Sequence, residues 1–194
     1  PPGGLYLSVA LTPNLPLENS AQLTLCSAWG IATALRSYGV PVQLKWPNDL
    51  VVSGRKLGGI LTETRVYQGR VTKAVVGVGI NWTNSVPETG INLQTVLAAP
   101  AQPAIASLEM LSAIALQGIA SGYAVWQQEG IENLLPSYLS LLTSLGRSIS
   151  IDDIQGTIIG VSAQGELRIR SNRAEVASGE ILLKPGTISL GYDA

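Results

Sequence analysis

The stretch Lys45-Trp46-Pro47-Asn48-Asp49 continues through a short turn into Lys56-Leu57-Gly58-Gly59-Ile60-Leu61. Its centre favours a turn, because proline fixes φ and the side chains of Asn and Asp bond to nearby backbone. Apolar residues on both sides predict strands, so the stretch predicts strand, turn, strand. Two lysines, a carboxylate and a carboxamide would then lie close together. Such a group of side chains can bind a small anionic ligand.

A Pro-Asn-Asp tripeptide by itself is most simply a tight turn between strands. The neighbouring residues favour a ligand site here, since a Lys-Trp pair precedes the turn and Lys56 follows seven residues after Asp49. Gly58 and Gly59 come next, and a glycine pair weakens a strand unless something lies close to the backbone. We interpret the pair as the surface on which a ligand lies.

Further elements are expected on both sides of this stretch from the period of the apolar residues. A period near 3.6 predicts helices, and short apolar runs bounded by Gly, Pro and Asn predict strands. The predicted strands are 5–11, 56–67 and 71–80, the predicted helices are 20–38, 107–128 and 131–145, and 83–104 is predicted to be a loop.

The pattern changes at Gly146. Beyond it, apolar residues alternate with polar ones in four or five short runs, which is typical of a small barrel. We therefore place a domain boundary there, with residues 1–145 in one domain and 146–194 in a second.

The composition limits the chemistry that is available. Hydrophobic residues make up 46% of the chain and charged residues 13%, with a net charge of −1, so nothing marks a nucleic-acid-binding surface and a full core can form. Histidine is absent, and Cys26 is the single cysteine, which excludes a disulfide framework and a cysteine-rich metal site. Cys26 lies in an apolar helical pattern and is expected to be buried and inert. We expect no membrane span and a cytoplasmic location.

A second glycine-containing segment is Gly77-Val78-Gly79-Ile80-Asn81. It lacks the third glycine and the following helix of a dinucleotide-binding motif. Alternate glycines in a buried strand indicate that either a packed backbone or a ligand approaches closely. The sequence does not decide between these two explanations.

Leu5-Tyr6-Leu7-Ser8, the stretch from Lys45 to Leu61 and the segment Gly77–Asn81 together resemble the catalytic domain of biotin protein ligases in order, spacing and identity. The resemblance implies an α+β fold: a mixed β-sheet packed with helices, followed by a small SH3-like β-barrel. In that family a glycine- and arginine-rich segment precedes the position of Pro1. The catalytic domain is therefore expected to be N-terminally incomplete, through a fragmentary sequence or a real loss, and to bind biotin weakly.

The resemblance also assigns roles to residues. Lys56 would contact the biotin carboxyl group and the α-phosphate, Asp49 would orient magnesium or the incoming amine, and Lys45 would add positive charge near the phosphates. Tyr6 and Ser8 fall on a family strand, and for Tyr6 an ordinary core role is as good an explanation as packing near the ligand. No protein metal site is implied. The implied biotin-binding residues are Lys56, Gly58, Gly59, Leu61, Gly77, Gly79 and Ile80, and the implied nucleotide-binding residues are Asn48 and Asn81.

The implied activity is the ATP-dependent attachment of biotin to a lysine of the biotin carboxyl carrier domain of acetyl-CoA carboxylase, through biotinyl-5′-AMP. ATP with Mg²⁺ and biotin would be the substrates. Two alternatives remain open: a lipoate or octanoyl ligase or transferase of the same architecture, and a non-catalytic remnant that binds a carrier domain. Some members of the family dimerise through their sheets, so a homodimer is compatible with the resemblance.

Overall fold

A computed structural model describes residues 3–98, 105–151, 154–171, 179–188 and 190–192. Ten strands, four α-helices and a short 3₁₀ helix (Leu17–Asn19) lie within these ranges. The strands are β1 (Gly4–Leu11), β2 (Leu15–Pro16), β3 (Gln43–Lys45), β4 (Asp49–Val52), β5 (Arg55–Tyr67), β6 (Arg70–Asn81), β7 (Ser148–Ile151), β8 (Ile154–Val161), β9 (Leu167–Ser171) and β10 (Glu180–Leu183). The helices are α1 (Gln22–Ser37), α2 (Leu93–Leu97), α3 (Leu108–Glu129) and α4 (Ile131–Leu139).

The first sheet has the strand order β1-β6-β5-β4-β3, and the short β2 also pairs with β6. Every ladder between its strands is antiparallel, so the predicted mixed sheet is corrected to an antiparallel one within the described residues. The reason is that β3–β4, β4–β5 and β5–β6 are hairpins, and a short turn can join only antiparallel neighbours. Two isolated bridges to it, Leu44–Leu142 and Lys56–Gly90, are parallel. The predicted hairpin at Gln68-Gly69 is confirmed, with both residues at positive φ.

Two predicted boundaries shift for tertiary reasons. The predicted loop contains α2, which Asn92 caps by accepting a hydrogen bond from the backbone of Thr95; residues 99–104 of that loop lie outside the described ranges. The helix predicted to reach Leu145 ends at Leu139. After it the chain pairs with β3, because Leu44 donates to Leu141 O at 2.8 Å and accepts from Thr143 N at 2.9 Å.

Helices α1 and α3 cover one face of the first sheet, and glycines allow them to cross closely. A Cβ on Gly30 would lie 2.1 Å from the carbonyl oxygen of Gly118, and one on Gly122 would lie 2.1 Å from that of Cys26. Any side chain at either position would therefore force the helices apart. By length and composition α3 is also the helix of the described part that could span a membrane. Its buried residues pack against α1 and the sheet.

Cys26 is fully buried in α1, as predicted. Burial raises the pKa of its thiol from the ordinary 9.0 to about 12. We expect no alkylation by iodoacetamide at about pH 8 in the folded protein and rapid alkylation in urea, because the thiolate is the nucleophile. Mass spectrometry would show one adduct at most. The protonated thiol is favoured in the folded state, so its contribution to stability is complete below pH 9.0 and declines as the pH rises toward 12.

The C-terminal strands form a second antiparallel sheet with the order β10-β9-β8-β7. Within the described residues this sheet is open, so the closed SH3-like barrel is not observed and stays a prediction; residues 172–178 lie outside the description. Buried residues of this sheet, Ile158 and Leu167 among them, belong to the same hydrophobic cluster as Leu44 of β3 and Trp46 of the turn after it. The indole of Trp46 donates to Gly165 O at 2.9 Å across the junction.

Candidate active site

The strand register brings the predicted site residues into two rows across the first sheet. Tyr6, Gly79, Gly59 and Asp49 are successive cross-strand partners. Ser8, Gly77 and Leu61 form the neighbouring row. Directly paired residues share a face, and alternate residues along a strand do as well, so both rows lie on one side of the sheet. The residues between them along each strand are buried on the helix side, for example Leu5, Ile60, Val78 and Ile80.

These rows enclose an open cavity of about 440 Å³. Two large apolar side chains on its wall, Tyr6 and Leu61, are each 64% exposed, so the cavity offers apolar surface as well as charge. It is lined by Tyr6, Leu7, Ser8, Asn48, Asp49, Lys56, Gly59, Ile60, Leu61, Gly77, Val78 and Gly79.

The structure separates the two explanations for the glycines. A Cβ on Gly77 or Gly79 would make ordinary contacts, with nearest atoms at 3.5 and 3.8 Å, so packing does not require glycine at either position. These two glycines form the floor of the cavity. Gly58 differs, because a Cβ there would lie 2.3 Å from the carbonyl oxygen of Gly79. Its lack of a side chain is explained by strand packing, which corrects the interpretation of Gly58 as a ligand surface.

Lys56 and Asp49 meet at the rim of this floor. The Nζ of Lys56 lies 2.6 Å from Oδ1 of Asp49, and the two side chains are 45% and 14% exposed. The Cε of Lys56 lies 3.6 Å from the Cβ position of Gly59, so the side chain extends along the glycine strand. An ion pair this exposed contributes little to stability. Its importance is that a cation is held beside an open cavity.

The loop after β6 holds the backbone of Lys56, which the sequence did not predict. Lys56 donates to Thr89 O at 2.8 Å and accepts from Ile91 N at 2.9 Å. The side-chain amide of Asn81 also donates to Lys56 O, at 3.3 Å, and it accepts from the buried Asn84 at 3.0 Å. The three asparagines at 81, 84 and 92 could have indicated an ordered loop, because asparagine side chains often bond to loop backbone.

The two predicted nucleotide-binding amides lie in different surroundings. Asn48 lines the cavity, and it is fixed to β5 because its Nδ2 donates to Ile60 O at 2.6 Å while Ile60 N donates back to Asn48 O at 2.9 Å. Asn81 is not among the cavity residues, and its side chain is occupied on both its donor and acceptor sides. Its observed contacts support Lys56 rather than a ligand.

Besides Asn81, three predicted residues lie outside the cavity. Ile80 is 2% exposed and belongs to the core on the helix side. It follows Gly79 directly in β6, and adjacent residues of a strand point to opposite faces of the sheet. Gly58 is the cross-strand partner of Ile80 and therefore lies on the same face of the sheet. The ammonium of Lys45 lies 3.5 Å from the ring centre of Tyr192, in a neighbouring cavity of about 470 Å³. The side chains of Ile80 and Lys45 therefore do not reach the glycine floor in this structure.

Tyr192 is the site residue that the sequence analysis missed. Its hydroxyl donates a short hydrogen bond to Oδ2 of Asp49, while its ring lies under Lys45. Burial, followed by the hydrogen bond to Asp49 and the charge of that carboxylate, raises the pKa of Tyr192 well above its usual range. No local pattern marks a tyrosine 143 residues away as a partner of Asp49, so only the tertiary structure could reveal it.

Comparison with known proteins matches the sequence that contains this site to one family. Residues 1–81, which contain both glycine segments, Lys56 and Asp49, match the model of the biotin/lipoate A/B protein ligase family. Residues 1–81 belong to that family. The matched residues span β1 to β6 and include the whole lining of the glycine-floored cavity.

Curated relatives match a longer part of the chain than the family model does. The bifunctional ligase/repressor BirA of Bacillus subtilis is 27% identical over 177 residues, covering 87% of this chain and 54% of that protein. Biotin–protein ligase 1, chloroplastic, of Arabidopsis thaliana is 31% identical over 121 residues, covering 62% of this chain and 32% of that protein. The chain therefore spans about half, or less, of the length of these curated relatives.

Among solved structures, the biotin protein ligase of Aquifex aeolicus has the same fold. It superposes with a TM-score of 0.76 at 24% identity, covering 98% of this chain and 83% of that one. The same protein in complex with biotin and ATP gives a TM-score of 0.75 at 24% identity, covering 98% and 79%. The likeness includes the C-terminal sheet, so both parts of the present fold occur together in that enzyme.

Proposed function

We propose that this chain attaches biotin to a lysine of a biotin carboxyl carrier domain, using ATP and passing through biotinyl-5′-AMP. The observation that carries the proposal is the ammonium of Lys56, held by Asp49 beside an open floor of glycine backbone. A relative named as a biotin–protein ligase, another named as a ligase/repressor, and a similar fold that binds biotin and ATP support it.

In the first step a carboxylate oxygen of biotin attacks the α-phosphorus of ATP. The P–O bond to pyrophosphate breaks, and pyrophosphate leaves. Two anions must approach each other, and negative charge grows on the phosphate oxygens in the transition state. A cation already fixed at that point stabilises the charge without reorganisation, which is the largest single effect in many enzymes. The geometry of Lys56 meets this requirement.

The glycine floor and its apolar wall suit the neutral part of biotin. Gly77 and Gly79 leave room for the fused rings of biotin over the backbone, and the exposed faces of Tyr6 and Leu61 give them apolar contacts. The carboxylate end would then point toward Lys56. Mg²⁺ would arrive with ATP as part of the substrate, and Asp49 is the carboxylate that lines the cavity. Within the described residues no group of three metal-ligating side chains exists.

In the second step the deprotonated amine of a carrier lysine attacks the acyl carbon of the adenylate. An amide bond forms, the C–O bond to AMP breaks, and a proton is released. Asp49 would orient this amine, and Lys45 would approach the phosphates only after leaving the ring of Tyr192. The carrier domain of acetyl-CoA carboxylase is the proposed partner, a closed SH3-like barrel the proposed form of residues 146–194, and the cytoplasm the proposed location.

Biotin-dependent exchange of labelled pyrophosphate into ATP tests this function. We expect exchange with biotin and little or none with lipoate or octanoate, because the family also contains lipoate ligases and the substrate decides between them. Isothermal titration of the same ligands gives binding without turnover. Exchange with lipoate in place of biotin would reassign the chain to a lipoate ligase, and binding without exchange would make it a carrier- or ligand-binding remnant.

A further inference from the structure

Tyr192 connects the C-terminal segment to the hairpin that carries the site. Its ring lies against the Lys45 ammonium, and its hydroxyl donates to Asp49. These two residues are direct cross-strand partners in the β3–β4 pair. The tyrosine therefore touches both charged residues of the hairpin at once.

The contact fixes the carboxylate of Asp49 in a defined orientation. One oxygen, Oδ2, accepts from Tyr192, and the other, Oδ1, pairs with Lys56. A carboxylate held at both oxygens cannot rotate about its terminal torsion, which is otherwise broad. Asp49 is 14% exposed while Lys56 is 45% exposed, so the carboxylate is the more enclosed member of the pair and its position sets that of the ammonium.

Two lysines can compete for Asp49. Lys45 is its cross-strand partner, and directly opposite residues of opposite charge attract each other. The ring of Tyr192 gives the Lys45 ammonium a different partner at 3.5 Å, an arrangement that stabilises a cation. Lys45 lies in the neighbouring cavity, and Oδ1 of Asp49 pairs with Lys56.

We infer that Tyr192 is a positioning residue for the adenylation step, which directs Asp49 to Lys56 and thereby fixes the Lys56 ammonium over the glycine floor. The inference rests on the proposed function, since adenylation is the step that uses this ammonium. It adds a contribution of the C-terminal segment to a cavity whose own lining comes entirely from β1 to β6 and the turn before β4.

The variant Tyr192→Phe removes the hydroxyl and keeps the ring over Lys45. We expect kcat for biotin-dependent pyrophosphate exchange to fall about tenfold, as for one lost hydrogen bond to a charged group, with KM for biotin changed less than about twofold. Tyr192→Leu also removes the ring and should lower kcat by about a further tenfold. Tyr67→Phe, a tyrosine that is 66% exposed at the end of β5, is the matched control and should leave both constants unchanged.

A second measurement reports the contact without turnover. With ¹³Cζ-labelled tyrosine, the NMR signal that disappears in Tyr192→Phe belongs to Tyr192. The pKa of this phenol is raised by burial and by Asp49, so it should fall in Asp49→Asn, where the negative charge is gone. The other tyrosine signals provide internal controls.

The outcomes separate the two proposals. Wild-type protein with no biotin-dependent exchange would refute the proposed function and, with it, the role of Tyr192 in adenylation. Normal wild-type exchange that is unchanged in Tyr192→Phe would refute the positioning role alone. A Tyr192 pKa that does not fall in Asp49→Asn would also overturn it, because the hydroxyl would then not be bonded to Asp49 in solution.

Discussion

Replacing Lys56 by alanine is expected to lower the rate of biotin-dependent pyrophosphate exchange about a thousandfold, the usual cost of removing one preorganised charge donor from a transition state. The ammonium is the cation that lines the glycine-floored cavity among the described residues. Without it, the biotin carboxylate and the α-phosphate would repel each other across that cavity. The loss should fall mainly on kcat, because the charge develops in the transition state.

Lys56→Met separates charge from shape, since methionine keeps an unbranched stem without the ammonium. We expect the same loss of exchange in this variant. Lys73→Ala, an exposed lysine toward the other end of β6, should keep full activity. All three proteins should unfold at nearly the wild-type temperature, because an exposed ion pair contributes little to stability. Normal exchange in Lys56→Ala would remove this residue from the mechanism.

Alanine at the neighbouring glycines should separate binding from folding. In Gly58→Ala the new Cβ would lie 2.3 Å from a backbone oxygen of β6, so the strands must move apart. We expect a loss of about 1–3 kcal/mol in the free energy of unfolding, as for other overpacked sites. In Gly79→Ala the nearest atoms are at 3.8 Å, and we expect no loss of stability.

The order of the two variants should be reversed for biotin binding, which Gly79→Ala should weaken more than Gly58→Ala. The methyl group of Gly79→Ala would project onto the cavity floor, so KM for biotin should rise at least about tenfold, equivalent to one lost or blocked contact of about 1.4 kcal/mol. Gly77→Ala should behave in the same way. Urea denaturation and exchange kinetics measure the two effects independently. If Gly79→Ala lowered stability as much as Gly58→Ala, both glycines would be packing residues and the floor would not be a ligand surface.

Local chemistry explains which elements could be predicted. The hairpins at 47–49 and 68–69 depend on turn residues and strand patterns that act within a few positions, and both form as expected. The helix ending at Leu139 was predicted too long, because a distant partner, Leu44, takes over the backbone hydrogen bonds that helix continuation would have used. The period of apolar residues along a segment cannot indicate a pairing partner that is distant in the sequence.

The site shows the same division. The charged and glycine residues of the cavity could be recognised because their spacing along two strands is local. Gly58 and Ile80 could not be separated from Gly59 and Gly79, because a change of one position in register exchanges the two faces of a strand. Lys45 and Asp49 were both predicted as catalytic residues. The prediction did not include Tyr192, whose ring lies against Lys45 and whose hydroxyl donates to Asp49.

The amino-acid sequence by itself determined the strand–turn–strand segments, the alternate glycines and the two lysines, because turn propensity and side-chain period are short-range properties. Only the tertiary structure decided which glycines face open space, which loop fixes Lys56, and that Tyr192 bonds to Asp49. These features depend on register and on the packing of the C-terminal segment against a hairpin more than a hundred residues earlier in the chain, and no local pattern specifies them.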